Sequence, residues 1–216
     1  MPAPIRQRGA AGGIGAEKGL IMRVLVACEF SGIVRDAFAA RGHDTWSCDL
    51  LPTERPGNHI QGDVLQVLDD GWDLMIAHPP CTYLANSGVQ HLHKQVGRWD
   101  KMLAGKDFFL ALLNAEIPMV CVENPIPCRY AELPRYDQIV EPWMFGESTM
   151  KKTCLWLKGL PRLNPTQIVE KGRHYIGTDG KPNGSEWYQL APSKDRWKTR
   201  SRTFSGIASA MAAQWG

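Results

Sequence analysis

A cysteine and a glutamate each follow an apolar run in this chain, and the order of those runs could bring the two side chains together. Cys81 comes two prolines after "DLMIAH" (73–78), and Glu123 lies near the end of "PMVCVEN" (118–124). The prolines fix φ and remove two backbone donors, so we expect a stiff loop that holds Cys81 in one direction. A thiolate is a nucleophile and a carboxyl group can move protons. The pair could therefore carry out covalent catalysis with acid–base assistance.

The elements that must position this pair have the pattern of an α/β fold. Four apolar, partly β-branched runs predict buried strands over residues 23–28, 44–49, 73–78 and 118–124. Helical patterns over 33–42 and about 96–115 lie between them. Strands that alternate with helices indicate a doubly wound, mostly parallel sheet, whose carboxyl edge is where such folds carry out their chemistry. We therefore expect Cys81 and Glu123 at one crevice.

The pattern changes in the last third of the chain. "KTCLWL" (152–157) predicts a strand, and "EWYQL" (186–190) predicts the second arm of a hairpin after the turn-rich segment 178–185. The small residues of "FSGIASAMAAQWG" (204–216) predict a helix that packs closely on the sheet.

Charge is polarised along the chain. Residues 1–150 carry 13 Lys/Arg against 18 Asp/Glu, whereas residues 151–216 carry 12 against 4. A basic region indicates a surface for phosphates, with a merely solvated face as the alternative. Cations alternate in "KDRWKTRSR" (194–202), so an extended strand would present all of them on one face. We predict that Lys198, Arg200 and Arg202 contact the phosphates of a nucleic-acid backbone.

Composition favours one globular domain in a reducing compartment. The chain has 216 residues, 44% of them hydrophobic, which predicts a single domain over 22–216 after a flexible Gly- and Ala-rich extension over 1–21. No apolar run is long enough to span a bilayer, and no window resembles a secretory segment. Six cysteines without close pairs favour free thiols in the cytoplasm and no membrane partner. The oligomeric state is left open.

Five short motifs resemble, in the same order, those of the cytosine-5 DNA methyltransferases, particularly the short phage-type members. They are "FSG" (30–32), "SCD" (47–49), "GDV" (62–64), "PPC" (79–81) and "VENP" (122–125). The Pro-Pro-Cys and Glu-Asn motifs are the specific ones. The similarity covers roughly 22–125, with a fainter match over 202–212, and it implies a Rossmann-like S-adenosylmethionine-dependent methyltransferase fold.

The resemblance implies roles for three catalytic residues in methyl transfer from S-adenosylmethionine to carbon 5 of cytosine in DNA. Cys81 would add as a thiolate to carbon 6 of the base. Glu123, in its protonated form, would hold ring nitrogen 3 and the exocyclic amine, and Asn124 would orient the loop. A phage-encoded protein of this kind would act in the host cytoplasm.

The resemblance also implies a cofactor site along the sheet edge. The aromatic residue of the first motif would pack against the adenine, and the Ser-Gly pair would let the backbone approach the methionine end. Asp49 would bind the ribose hydroxyls, and residues 63 and 64 the adenine edge. The implied cofactor-binding residues are Phe30, Ser31, Gly32, Asp49, Asp63, Val64 and Pro79.

The chain departs from the family pattern in four places. Ile33, Val34 and Arg35 stand where the family usually has further glycines, and Thr82 stands where it usually has glutamine. The family's Gln-x-Arg-x-Arg segment has only "KKTCLW" (151–156) as a rough counterpart. The target-recognition segment is reduced to about 158–202, so we expect short or loose sequence specificity.

Other interpretations stay open at this point. Cytosine methylation of a free nucleotide or of RNA fits the small recognition segment, and a DNA-binding protein with a degenerate methyltransferase fold is a further alternative. An amino-group methyltransferase usually has Asp, Asn or Ser before Pro-Pro and an aromatic residue after it, whereas this chain has His78 and Cys81. A metal site from His78, His91 and His93 lacks paired ligand spacing, so no metal is expected.

Overall fold

The computed structural model describes residues 20–178, 180–189, 191 and 193–216. The predicted extension over 1–21 lies outside this part of the chain except for Leu20 and Ile21, which are exposed. None of the helices in the described residues is long and apolar enough to cross a membrane.

A seven-stranded sheet forms the centre of the molecule. Its strands are β1 (Arg23–Ala27), β2 (Asp44–Asp49), β3 (His59–Gln61), β4 (Leu74–Ala77), β5 (Met119–Pro125), β6 (Gln138–Val140) and β7 (Thr153–Lys158). The spatial order is β3-β2-β1-β4-β5-β7-β6. Strands β1 to β5 pair in parallel, and β7 runs antiparallel to both of its neighbours. The predicted mostly parallel, doubly wound sheet is confirmed.

Helices cover both faces of this sheet. They are α1 (Ile33–Ala39), α2 (Arg98–Leu113), α3 (Arg196–Ser201) and α4 (Ser205–Trp215). On one face Phe109 of α2 packs edge-on against Trp156, with ring centroids 4.9 Å apart. On the other face Phe38 of α1 and Met211 of α4 join a second apolar cluster. Burial from both sides explains why β4 is apolar at every position.

The predicted central strands and long helices are confirmed to within a few residues at each end. The structure adds β3 and β6, each only three residues long, at the two edges of the sheet. Such short segments carry too few residues to show a period-two pattern in the sequence. Their pairing with β2 and β7 stabilises them instead.

The predicted hairpin is present with a different second arm. Its strands are β8 (His174–Ile176) and β9 (Pro182–Ser185), and 186–189 forms a 3₁₀ turn instead of the expected strand. The backbone N–H of Trp187 donates to Ser185 Oγ at 3.2 Å, which starts that turn as soon as the ladder ends. The prediction of a strand over 186–190 was therefore wrong.

The predicted basic strand over 194–202 was also wrong, because this stretch forms α3. Within the described residues no strand pairs with it, so its backbone groups find partners inside a helical turn, as in the 3.1 Å bond from Thr199 N–H to the Asp195 carbonyl. Trp197 anchors the helix by packing 5.9 Å from the Phe30 ring. The alternating cations are consequently spread around a helix and not aligned on one face.

Candidate active site

The candidate site lies where the chain reverses direction across the sheet. From β1 the strands continue toward β2 and β3 on one side, and β4 and β5 follow on the other. A crevice forms at such a switch point, outside the carboxyl ends of the strands. The chain leaves β1 through Cys28, whose φ of 58° is unusual for a residue with a side chain. The segments after β1 and β4 and the end of β5 therefore meet at one edge.

Cys81 is held in a tight turn after β4. Its carbonyl accepts hydrogen bonds from the N–H groups of Leu84 and Ala85, at 3.1 and 2.9 Å. The side chain is half-buried. Burial raises the pKa of the thiol and outweighs the cation of Lys151, which lowers it. At rest Cys81 is therefore a thiol, with positive charge nearby that favours its ionised form.

Glu123 points at His78, the residue that follows β4. Glu123 Oε1 lies 3.2 Å from His78 Nδ1, and the side chains are 14% and 7% exposed. The distance is that of an ion pair, although the ring is not oriented for a directional hydrogen bond. Because charge attraction does not depend on that angle, the two side chains still attract each other as an ion pair.

The two charges of this pair support each other. Burial opposes ionisation of Glu123, but the His78 cation and Lys151 more than offset it and lower the pKa of the carboxyl group. Burial also opposes the His78 cation, but Glu123 more than offsets it and raises the pKa of the imidazole. The protonated Glu123 expected from the sequence is therefore not the state of the free protein.

Lys151 supplies a positive charge to the same site. It precedes β7, and its Nζ donates to the Arg200 carbonyl at 3.2 Å while lying 5.6 Å from the Phe204 ring centroid. Its charge acts on Cys81, Glu123 and His78. Neither His78 nor Lys151 was predicted as a residue of the candidate active site. The sequence signal that could have found them is their position, since His78 ends a predicted strand and Lys151 directly precedes another.

Two backbone hydrogen bonds join the segment after β5 to the turn of Cys81, while the side chain of Asn124 bonds to its neighbour within β5. The buried Asn124 side chain donates from Nδ2 to the Pro125 carbonyl at 2.6 Å. Asn86 N–H donates to the Ile126 carbonyl at 2.8 Å, and Cys128 N–H donates to the Leu84 carbonyl at 2.7 Å. The positions of the thiol and the carboxylate are thus mechanically coupled.

The segment after β1 is organised by a buried glutamate. Glu29 accepts hydrogen bonds from Ser31 Oγ at 3.1 Å, from Val34 N–H at 2.8 Å and from Arg35 N–H at 3.2 Å. The side chain thereby satisfies the free N–H groups at the start of α1. Gly32, with φ of 71°, makes the turn into that helix.

Arg35, the departure from the family glycines, has a structural role. It is 1% exposed, and its guanidinium donates to the carbonyls of Arg55 and Pro56 at 3.2 and 2.9 Å and to Thr53 Oγ1 at 3.1 Å. Arg35 therefore ties α1 to the loop over 53–56 and leaves the backbone of the first motif in place.

The remaining predicted cofactor residues lie along the same edge. Asp49, at the tip of β2, accepts the Leu51 N–H at 2.9 Å, and burial raises the pKa of its carboxyl group. Asp63 accepts the Leu65 N–H at 3.0 Å, while Val64 and Pro79 are buried. Both aspartates are close enough to Cys28 to act on its thiol.

A small cavity separates the first motif from the C-terminal part of the chain. It has a volume of about 30 Å³ and is lined by Cys28, Glu29, Phe30, Ser31, His78, Ser201, Arg202 and Thr203. That is room for about one water molecule, whereas ligand pockets have roughly 300 Å³ or more. Residues 201–203, which we term the cover segment, must therefore move to admit a nucleoside-sized cofactor.

The three predicted phosphate contacts have different surroundings. Arg202 pairs with both carboxylate oxygens of Glu54, at 2.7 and 2.8 Å, and so fastens the cover segment. Lys198 lies 3.9 Å from Asp195 in a weak surface pair. Arg200 is near enough to Cys81 for its charge to lower the pKa of the thiol. The three side chains therefore do not share one strand face.

Burial also raises the pKa of four other thiols, those of Cys28, Cys48, Cys121 and Cys154. All six are free thiols, and burial raises the pKa of Cys48 and of Cys154 to about 11. Within the part of the chain that the structure describes, no group of three or more His, Cys, Asp or Glu side chains could hold a metal ion.

No family model matches this sequence. No curated protein matches it either. Among solved structures, the chain is similar to a protein described as a DNA modification methyltransferase encoded within a prophage (E. coli), with 17% identity and a TM-score of 0.41. It is also similar to the Entamoeba histolytica methyltransferase EhMeth, with 13% identity and a TM-score of 0.43. A third similar structure is the S. pombe Dnmt2 methyltransferase, with 12% identity and a TM-score of 0.43.

These alignments are partial on both sides. The prophage protein aligns with 69% of this chain over 52% of its own length. EhMeth aligns with 69% of this chain over 58% of its length, and the S. pombe Dnmt2 with 66% over 51%. The chain therefore spans only a little over half the length of the structures it matches. With identities of 17% or less and TM-scores of 0.43 or less, these similarities do not assign an activity to this chain.

Proposed function

We propose that this chain transfers a methyl group from S-adenosylmethionine to carbon 5 of cytosine in DNA through a covalent adduct on Cys81. One observation carries the proposal. The Cys81 thiol follows β4 and the Glu123 carboxylate lies near the carboxyl end of the neighbouring parallel strand β5, with Lys151 acting on both. A nucleophile and a proton-carrying group at one edge are what addition to a pyrimidine ring requires.

Covalent addition solves the chemical problem of this substrate. Carbon 5 of cytosine is a poor nucleophile until the Cys81 thiolate bonds to carbon 6, which moves the electrons of the 5,6 double bond onto carbon 5. S-adenosylmethionine, when bound, supplies the methyl group to that carbon. Loss of the carbon 5 proton to a base or water then returns the electron pair, and the bond from sulfur to carbon 6 breaks.

Two cations help Cys81 to reach its reactive form. The raised pKa of the thiol keeps it protonated at rest, while the charges of Lys151 and Arg200 favour the thiolate. Deprotonation is therefore expected to accompany the docking of the base. Glu123 then draws charge from ring nitrogen 3 as the adduct forms, and Asn124 keeps the segment after β5 in position.

The edge of the sheet offers groups that suit the cofactor. Phe30 can pack against an adenine once Trp197 moves off its ring, and Asp49 at the tip of β2 is the carboxylate for ribose hydroxyls. His78 Nε2 is buried without a partner among the described residues and lines the adjacent cavity. An unpaired buried polar group of this kind is expected to receive a partner on binding.

RNA or a free cytosine nucleotide is the second candidate substrate. The described residues between β7 and α3 form only the β8–β9 hairpin and one 3₁₀ turn, which leaves little protein to read a base sequence. The same chemistry at Cys81 would serve either substrate.

A substrate panel tests the proposal. The full chain is incubated with methyl-labelled S-adenosylmethionine and duplex DNA, RNA or dCMP at equal cytosine concentration, beside Cys81→Ala. We expect 5-methylcytosine in DNA from the wild type alone, and a stable protein–DNA adduct when the duplex carries 5-fluorocytosine, whose fluorine cannot leave as a proton. Product on RNA alone would establish the second candidate. Equal transfer by Cys81→Ala would overturn both.

A further inference from the structure

His78 occupies an unusual position between the candidate acid and the candidate cofactor crevice. It follows β4 directly and is 7% exposed, with Nδ1 3.2 Å from Glu123 Oε1. Its Nε2 is buried without a partner among the described residues, and the ring lines the cavity beside Phe30 and Ser31. In the sequence His78 directly precedes the Pro-Pro-Cys motif, and the family resemblance implies no role for it.

The groups that face His78 favour its positive charge. Arg202, which is paired with Glu54, and the Cys28 thiol line the same cavity as His78. The four groups whose charges act on His78 are Glu123 on β5, Glu29 after β1, Asp49 at the tip of β2 and Lys151 before β7. Three are carboxylates and one is an ammonium group. The imidazole therefore stores a proton beside Glu123 despite its burial.

Cytosine binding requires a proton on Glu123. Ring nitrogen 3 of neutral cytosine is a hydrogen-bond acceptor, and an ionised carboxylate is also only an acceptor. Two acceptors placed together at a buried site would destabilise the complex. Glu123 must therefore become protonated as the base docks.

We propose that His78 supplies this proton, passing it from Nδ1 to Glu123 Oε1, 3.2 Å away, when the entry of cytosine turns the ring into line with the carboxylate. This inference rests on the function proposed above. The step breaks the Nδ1–H bond and forms an O–H bond, leaving a neutral imidazole that keeps its proton on Nε2 and a neutral carboxyl group that donates to ring nitrogen 3. When the product leaves, the proton returns to His78, so none is consumed. His78 thus acts as a positioning and proton-storing residue that works through Glu123.

Nitrogen NMR of the full chain with ¹⁵N-labelled histidine observes the proton directly. The His78 resonance is assigned as the one missing in His78→Gln, or, if that variant does not fold, as the one that shifts most in Glu123→Gln. At pH 7 we expect an imidazolium in the free protein and a neutral ring after addition of the 5-fluorocytosine duplex with S-adenosylhomocysteine. In Glu123→Gln the pKa of His78 should fall below 6.5, because burial is then opposed by one carboxylate fewer.

The pH dependence of turnover provides the second readout. In the wild type the pair keeps its proton until the pH rises through the raised pKa of His78, whereas Glu123 alone loses its proton at lower pH. His78→Gln should therefore lose about 10-fold more activity at pH 8 than at pH 6, relative to the wild type. His91→Gln, a half-buried histidine in the loop after Cys81, is the matched control with an unchanged profile.

The outcomes separate the two proposals. A neutral His78 in the free protein at pH 7, or a His78 that stays cationic with the fluorocytosine duplex bound, would overturn the proton transfer while leaving methyl transfer in place. A pH-independent loss in His78→Gln would do the same, since it would indicate a structural role. Failure of every cytosine substrate to be methylated would remove the proposed function and the proton transfer with it.

Discussion

At the level of single residues, the candidate site balances charges that would each be unfavourable alone. Cys81 is buried enough for its thiol to keep its proton, and Glu123 is buried enough to resist ionisation. His78 and Lys151 favour the ionised form of Glu123, and Lys151 also favours the thiolate of Cys81. A reactive thiolate in the free protein would be open to oxidation, so a site that ionises Cys81 only with substrate present avoids that damage.

Replacement of the thiol tests the nucleophile. Cys81→Ser should lose methyl transfer by roughly 10³-fold or more, because a serine hydroxyl is far less ionised at neutral pH and removal of a nucleophile abolishes a covalent mechanism. Binding of S-adenosylhomocysteine, measured by calorimetry, should be retained. Cys128→Ala, a change at a buried thiol in the same half of the core, is the control. Near wild-type turnover in Cys81→Ser would remove Cys81 from the mechanism.

The His78–Glu123 pair should also be visible in the pH dependence of stability. The folded pKa of Glu123 lies below 4.5, so its contribution is present above that pH and is lost as the pH falls through the lowered pKa. The folded pKa of His78 lies above 6.5, so its contribution is complete below 6.5 and is lost as the pH rises through the raised pKa.

The free energy of unfolding of the wild type, relative to the His78→Gln/Glu123→Gln double variant, should therefore be greatest between pH 4.5 and 6.5. Urea denaturation at several pH values measures this difference. A difference that does not change with pH would show that the two side chains do not share charge in the folded state.

At the level of elements, α3 and the cover segment (201–203) decide whether the crevice is open. Trp197 of α3 packs on Phe30, and Arg202 binds the Glu54 carboxylate with three hydrogen bonds. The loop that carries Glu54 is itself held by a hydrogen bond from Glu54 N–H to the Phe30 carbonyl at 2.8 Å. The cover segment is thus fastened to the part of the molecule that would contact an adenine.

Release of this fastening should speed cofactor entry. Arg202→Ala removes a partly exposed ion pair worth about 1 kcal/mol or less, so the rate of S-adenosylhomocysteine association should rise by about 2- to 5-fold. Stopped-flow tryptophan fluorescence can follow it. Lys198→Ala is the control, since it removes a cation near α3 that does not pair with Glu54. An unchanged association rate in Arg202→Ala would show that the cover segment does not limit entry.

The basic residues of α3 make a separate prediction about nucleic acid. Lys198→Ala/Arg200→Ala should weaken duplex binding for all sequences alike and lower the slope of log affinity against log salt by about one unit per lost phosphate contact. Arg41→Ala/Arg162→Ala removes the same charge from exposed positions near the amino ends of the central strands, and it should leave the slope unchanged. A wild-type slope in the α3 variant would exclude phosphate contacts by these two residues.

At the level of the whole molecule, Arg35 links the candidate site to the fold. Its buried guanidinium binds Asp36 at 2.8 Å and the carbonyl of Pro56 at 2.9 Å. Gly57 lies so close to this guanidinium that a Cβ there would fall within 2.8 Å of three of its atoms. One side chain thus holds the start of α1 and the loop that carries Glu54 in a fixed relation.

Loss of the Arg35 guanidinium should destabilise the whole domain. Arg35→Met keeps most of the apolar stem but removes the charged donor that binds Asp36 and the carbonyls of Arg55 and Pro56, so the free energy of unfolding should fall by about 2 kcal/mol. Arg41→Met, at an exposed position just after α1, should change it by about 0.5 kcal/mol or less. Urea denaturation at pH 7 measures both. Equal stability of the two variants would show that the Arg35 contacts contribute nothing.

The central sheet and the two long helices could be predicted from the sequence because their patterns are local. β4 is apolar at each position, and the two prolines after it mark its end in the sequence as clearly as in the structure. The joint placement of Cys81 and Glu123 follows from topology, since the carboxyl ends of parallel neighbours share an edge. The edge strands and α3 were not predicted, because short segments depend on contacts with other elements. The second hairpin arm was misplaced because Ser185 starts a 3₁₀ turn there.

The sequence by itself determined the fold class and predicted one edge of the sheet, with its thiol and carboxylate, as the place of the proposed chemistry, because residue type and period act over a few positions. Only the tertiary structure gave the direction of the Glu123 pKa, since it depends on His78, 45 residues away, and on Lys151, which precedes β7. It likewise decided that "KDRWKTRSR" is a helix over the crevice. A six-residue helix has little stability of its own, so its contact with Phe30 selects the conformation.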